Sequence, residues 1–160
     1  MQSPQHTYAD LKGFFAFDPT NDQDQLLRKL AVYLSIRRIQ PEVMIVKGYA
    51  GTGKTTLWKS VVAVHKKNTR KVKLMAPTGR AAKVLSGATG FPANTIHRSL
   101  YRPKVSSGGA ATFVLANNPN KNTTFIVDEA GLISTQRDRS LGDHSLLEDL
   151  LQYVFEDASN

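Results

Sequence analysis

The octapeptide GYAGTGKT, Gly48 to Thr55, has the spacing G-x-x-x-x-G-K-[ST]. In that pattern the glycines let successive backbone N–H groups turn inward around a phosphate. Lys54 places a point charge on the β/γ-phosphates of a nucleotide, and the Thr55 hydroxyl is a ligand for Mg²⁺. Gly48, Ala50, Gly51, Thr52, Gly53, Lys54, Thr55 and Thr56 are therefore the candidate phosphate-binding residues. With glycine at ~7% of average usage, such a match arises by chance on the order of once in a few hundred chains of this length. A bare glycine turn with no ligand is the competing reading.

A second constellation is TTFIVDEA, an apolar run ending in Asp128 and Glu129. A carboxylate at a strand tip can hold, through water, the Mg²⁺ that Thr55 also touches. A second one beside it can orient and deprotonate an attacking water. Lys54, Asp128 and Glu129 are the candidate catalytic residues, and Thr55 with Asp128 the candidate Mg²⁺ ligands. Alone, the acidic pair reads as two solvated turn residues; its weight comes from the phosphate motif.

These residues need elements to position them. Leu26, Leu27, Leu30, Ala31, Tyr33 and Leu34 recur at helical spacing up to Ser35 or Arg38, before Gln40-Pro41 breaks the run. VMIVKG reads as a buried strand delivering the glycine turn, and Thr55 to about His65 as a helix that adds its positive N-terminal end to the phosphate site. KVKLMAP is a second strand, followed by a short helix over Arg80–Ser86 ended by Gly87. A flexible hairpin is expected at about 105–122, with ATFVLA as one arm, then the strand TTFIVD. Last comes an amphipathic helix from Ser145 to about Glu156, with Leu146, Leu147, Leu150, Leu151 and Val154 inward and a Ser145…Glu148 capping box at its start. Residues 1–19 carry no clear period and read as a docking or disordered segment before one lobe over 20–160. Alternating strands and helices argue for an α/β fold with a doubly wound parallel sheet, whose ligands gather at the carboxyl ends of the strands.

The chain has 160 residues, 41% of them hydrophobic, and suits one globular domain. No apolar run approaches the roughly 18 residues of a membrane span, and no signal peptide is evident, so a cytoplasmic protein without membrane partners is expected. The absence of cysteine rules out disulfides and thiolate metal sites. The net charge of +8 is unevenly laid out. From Val43 to Val127 there are fourteen Lys and Arg and no acid, whereas residues 128–160 hold eight acids and two arginines. A polyanionic partner fits the basic segment. Its densest run, HKKNTRKVK at 65–73, precedes a strand and reads as a solvated loop away from the site. Arg80 and Lys83 follow a strand end, on the side of the phosphate loop.

GYAGTGKTT, APTGRAAKVLS, TIHRSLY and FIVDEAGLIS, in this order and at this spacing, resemble the nucleotide-binding lobe of superfamily 1 DNA helicases. Within them they resemble the RecD-like branch related to the alpha chain of exodeoxyribonuclease V. The resemblance covers about Phe17 to Phe155 and implies a P-loop NTPase lobe of RecA-like fold, binding ATP with Mg²⁺. It also implies single-stranded DNA as partner, roles in DNA repair and recombination, and association with other subunits of a helicase-nuclease complex. PTNDQ resembles the family's adenine-reading segment, which makes Gln23 the partner of the base. Thr20-x-x-Gln23 is equally a capping box, with Gln23 bonded to the backbone of Thr20. The other motifs implicate Thr78, Gly79, Arg80, Thr95 and His97 in DNA contact, inside the acid-free segment that a phosphate backbone would require.

Family members continue, after the last helix, into a strand that senses the γ-phosphate and a second lobe that supplies an arginine. The chain ends at Asn160, so an incomplete sheet with unpaired edges is expected, along with very slow hydrolysis by this chain alone. A non-catalytic module that binds nucleotide or DNA for a partner is the alternative. A GTPase is disfavoured because NKNT at 120–123 precedes the D-x-x-G segment and lacks the guanine-reading aspartate. A kinase has no need of TIHRSLY or of adjacent Asp and Glu.

Overall fold

Helix caps set the path of the first part of the chain. In the computed structural model, which describes residues 2–36, 42–105, 111–138 and 143–155, Ser3 accepts the His6 N–H at 3.2 Å and Pro4 opens helix α1 (Pro4–Gly13). Proline at the first helical position has its φ already set and lacks an N–H that would go unpaired there. Residues 1–19 thus contain a helix where a docking or disordered stretch is expected. Its period is faint because only Thr7 and Leu11 are buried. Both bonds of the Thr20–Gln23 capping box form at the start of α2 (Asn21–Ser35), which buries Leu27, Leu30, Ala31 and Ser35. Arg38, Gln40 and Pro41 lie outside the described residues.

The contacts divide the chain into two compact units, Met1–Val72 with Gly87–Phe91, and Lys73–Ser86 with Pro92–Asn160. In the first, α1 packs on α2 and on α3 (Lys54–Lys67). The Ser35 hydroxyl donates to Thr7 Oγ1 at 2.7 Å in the buried seam between α1 and α2. From the next residue of α1 the Tyr8 hydroxyl donates to Asp24 at 2.5 Å, and Asp24 also accepts from Arg28 Nε at 2.9 Å. The hydrogen bond from Tyr8, then that from Arg28, holds the Asp24 carboxyl below its ordinary range.

The basic run 65–73 is a correction: it is the last turn of α3, a short turn and the start of a strand rather than a solvated loop. His65 is buried, with Nδ1 2.8 Å from the Val61 carbonyl, which can only accept, so Nδ1 carries the proton. Lys67 pairs with Asp10 at 2.7 Å, Arg70 donates to the Leu34 carbonyl at 2.7 Å, and Lys66 lies 5.1 Å from the Phe91 ring centroid. Cations at a helix C-terminus suit the dipole there, and these three use their charge to hold α1, α2 and Phe91.

VMIVKG is also a correction. Residues 43–48 run on without forming a strand, and Val43 and Ile45 are 60% and 74% exposed. A strand exists only when a neighbour takes up its backbone donors and acceptors, and among the described residues no ladder includes this segment. Just ahead of it, the Glu42 carbonyl accepts from the Tyr33 hydroxyl of α2 at 2.7 Å.

The second unit carries the sheet, in the order β2 (Ala93–Thr95), β1 (Lys71–Ala76), β5 (Thr123–Val127). β1 and β2 are parallel, with Leu74, Met75 and Ala76 opposite Ala93, Asn94 and Thr95. Central β1 buries Leu74, Met75 and Ala76 in succession, as a strand covered on both faces does. α4 (Gly79–Thr89) runs through Gly87 and stops at Gly90, whose φ of +63° supplies the left-handed terminus expected one turn earlier. IHRSL, capped by Thr95, forms α5 (Ile96–Leu100) and leads straight into the hairpin, β3 (Tyr101–Val105) with β4 (Ala111–Leu115). The hairpin therefore starts before the expected 105, and 106–110 lie outside the described residues.

A short pair, β6 (Arg137–Asp138) with β7 (His144–Ser145), precedes α6 (Leu146–Phe155). The expected capping box is present: Ser145 N–H donates to Glu148 Oε2 at 2.7 Å and Glu148 N–H to Ser145 Oγ at 3.2 Å. The inward face of α6 is Leu146, Asp149, Leu150 and Tyr153, packed with Met75, Ile96, Leu100 and Tyr101, while Leu151 faces out. Asp149, 2% exposed, is accommodated because the Tyr101 hydroxyl donates to it at 2.5 Å. Glu156 lies outside the described residues. No described helix is long and apolar enough to cross a membrane.

Candidate functional site

The phosphate motif lies wholly in the first unit, between the extended segment 43–48 and α3. Gly51 and Gly53 have φ of +78° and +85°, where side chains are rarely tolerated. A Cβ on Gly48 would fall 2.7 Å from Thr52 Oγ1, so a side chain there would push the Thr52 hydroxyl from its place. The Thr52 hydroxyl donates to the Tyr49 carbonyl at 2.8 Å. Lys54 Nζ donates to the carbonyls of Gly48 at 2.6 Å and Tyr49 at 2.8 Å, leaving one of its three N–H groups for another acceptor. Thr55 and Thr56 stand half-buried in the first turn of α3, and Ala50 is exposed.

Three features fit this loop to a nucleotide polyphosphate. The N-cap of α3 is Gly53, which offers no side-chain oxygen to the first-turn N–H groups. A helix start without such a cap, behind a glycine turn, is an anion site. A lysine stands at its rim, and no carboxylate lies between Val43 and Val127.

Gln23 belongs to the same assembly. Its Oε1 accepts the Thr20 N–H at 3.0 Å, as the capping-box reading requires, and its Nε2 donates to the Thr52 carbonyl at 3.0 Å. A Cβ on Gly53 would come 2.8 Å from that same nitrogen. The contact with Thr52 had no signal in the sequence, because it spans 29 residues.

Asp128 and Glu129 lie in the second unit, after β5. The Asp128 N–H donates to the Met75 carbonyl at 3.0 Å, fixing the strand tip beside central β1. Asp128 is half-buried and Glu129 exposed. Glu129 has φ 53° and ψ 36°, a left-handed conformation in a residue with a side chain, and begins the 3-10 turn Ala130–Leu132. Strain of this kind persists where the surroundings over-determine it, often at functional positions.

Thr78, Gly79, Arg80, Thr95 and His97 also fall in the second unit, at the starts of α4 and α5. Thr78 Oγ1 accepts the Ala81 N–H at 3.2 Å and Thr95 Oγ1 the Arg98 N–H at 3.1 Å, so both threonines cap helices while their hydroxyl protons stay available as donors. Gly79 and Arg80 are exposed. His97 is exposed, its ring 5.7 Å from that of Tyr101. The hairpin adds residues not anticipated as functional. Arg102 and Lys104 share one face, and Phe113, opposite Pro103 on the other, is 58% exposed. The signal was a cationic, aromatic pair of arms, masked by Pro103.

The chain is 41% identical over 63 residues to the ATP-dependent RecD2 DNA helicase of Deinococcus radiodurans, a match that covers 39% of this chain and 9% of the relative. The chain thus spans a small fraction of that protein's length. Residues 21–145, most of the chain, match the family model described as AAA domain. The match over most of the chain, on top of the glycine loop, Lys54 and the parallel strands, shows that the chain belongs to the AAA domain family and has the P-loop NTPase fold.

Proposed function

We propose that the chain is the ATP-binding part of an ATP-dependent DNA motor, in which hydrolysis is coupled to movement along single-stranded DNA. The observation that carries this reading is the uncapped start of α3 behind a closed glycine loop, with Lys54 at its rim. In this reading Gly48, Ala50, Gly51, Thr52, Gly53, Lys54, Thr55 and Thr56 hold the phosphates, and Gln23 contacts adenine. Thr55 and Asp128 hold Mg²⁺, which when bound offsets phosphate charge. Glu129 orients the attacking water and takes its proton. Lys54 stabilises charge that develops on the transferring phosphoryl group.

The DNA reading rests on the second unit, where Thr78, Gly79, Arg80, Thr95 and His97 occupy exposed or half-exposed positions at two helix starts. Arg102 and Lys104 add cations on one face of the hairpin, and Phe113, on its other face, is an exposed ring on which an unstacked base could stack. A cytoplasmic setting and partner subunits of a helicase-nuclease complex follow from the same reading.

Fluorescence anisotropy with a labelled oligothymidylate, titrated at several salt concentrations, tests the DNA part. Binding at low salt whose log K falls linearly with log salt is expected. Absent binding at low salt, or affinity that ignores salt, overturns it.

A further inference from the structure

We propose that Gln23 is a positioning residue of the phosphate loop: it sets the orientation of the Thr52–Gly53 peptide and thereby aims the Gly53 N–H at the bound phosphate. The inference rests on the phosphate-loop reading and goes beyond an adenine contact.

A peptide unit is planar and trans, so its C=O and N–H point in opposite directions. With the Thr52 carbonyl held by Gln23 Nε2 at 3.0 Å, the Gly53 N–H faces away from α2. A peptide that precedes a glycine at φ +85° is prone to flip, because glycine accepts both signs of φ at little cost. A flipped peptide would turn a carbonyl toward the phosphate in place of an N–H. Gln23 opposes the flip, and it is itself fixed: its Oε1 is held by the Thr20 N–H at 3.0 Å and its own N–H donates to Thr20 Oγ1 at 3.4 Å. On the loop side, the Thr52 hydroxyl on the Tyr49 carbonyl at 2.8 Å anchors the same residue from its side chain. The start of α2 is thus the fixed point against which the loop is braced.

An adenine reader and a loop brace differ for a ligand that has no base. Calorimetric titration of the intact chain with Mg²⁺-tripolyphosphate and with Mg²⁺-ATP separates them. Gln23→Ala is expected to weaken tripolyphosphate binding about three- to tenfold, the span of one neutral hydrogen bond. Thr20→Ala removes the Thr20 hydroxyl but leaves the backbone N–H that holds the Gln23 amide. It is expected to lower the melting temperature and leave tripolyphosphate affinity unchanged. Gln23→Glu keeps a good capping-box residue, so it folds, yet sets a carboxylate oxygen against the Thr52 carbonyl. It is expected to lose tripolyphosphate affinity even at high salt, where its charge is screened.

Unchanged tripolyphosphate affinity in Gln23→Ala or Gln23→Glu, with ATP affinity alone reduced, overturns the brace and leaves a base contact. An equal loss in Thr20→Ala overturns it in favour of general destabilisation. If the unsubstituted chain binds neither ligand, the phosphate site fails, and the brace with it.

Discussion

Glu129 is the place where backbone strain and proposed chemistry coincide, and the strain can be measured apart from the chemistry. Its φ of 53° and ψ of 36° put a Cβ close to the following carbonyl, at a cost of about 1–2 kcal/mol. The side chain is exposed, so replacing it removes little packing. Glu129→Ala and Glu129→Gly delete the same carboxylate and differ only in the Cβ. At an ordinary position glycine is less stable than alanine by roughly 0.5–1 kcal/mol. Here relief of about 1–2 kcal/mol should outweigh that loss, leaving Glu129→Gly the more stable by about 0.5–1 kcal/mol. Urea denaturation followed by far-UV circular dichroism reads this as a higher midpoint at unchanged slope. If alanine is equal to or more stable than glycine, the left-handed conformation is not a cost the fold sustains at this carboxylate.

The same logic applies to Thr69, at φ 53° in the motif that ends α3, where Arg70 N–H donates to the His65 carbonyl at 2.9 Å and Thr69 N–H to the Lys66 carbonyl at 3.2 Å. Glycine suits this position, so Thr69→Gly should raise stability by about 1 kcal/mol; a loss by denaturant titration would contradict the assignment. Burial, with a smaller repulsion from Arg70, holds the His65 imidazole below its ordinary range. The unfolded chain therefore takes up a proton first. The stability from neutral His65 is complete above about pH 6.5 and lost as pH falls below it, so the denaturation midpoint should drop between pH 7.5 and 5.5, and less so in His65→Gln. Tyr101→Phe leaves Asp149 buried without the donor 2.5 Å away and should cost about 1–3 kcal/mol by the same titration.

How much of this was legible in the sequence depends on how local each cause is. The Ser145–Glu148 box and strand 123–127 are written in a few consecutive residues, and the structure places them as expected; the glycine turn likewise leads into α3, though without the strand expected ahead of it. Segment 43–48 has the composition of a buried strand but not the pairing that makes one, since strand propensity expresses packing against neighbours more than backbone preference. β3 was hidden by Pro103, which argues against a strand until Ala111–Leu115 is seen opposite it. Helix α1 did carry a local signal, Ser3 as cap and Pro4 behind it, that outweighs the weak period of two buried residues. Lys66, Lys67 and Arg70 read as solvated because their partners, Phe91, Asp10 and Leu34, are distant in sequence. Within the candidate site the residue types were legible, whereas the hold of Gln23 on Thr52 depended on the fold.

The central claim is that the loop from Gly48 to Thr56 holds a nucleotide polyphosphate through Lys54 and the start of α3. Isothermal titration of the intact chain with Mg²⁺-ATP and Mg²⁺-ADP, beside Lys54→Ala, tests it most directly. Saturable binding by the unsubstituted chain that Lys54→Ala abolishes is the predicted result. No heat of binding from the intact chain, or equal affinity in Lys54→Ala, would contradict the account.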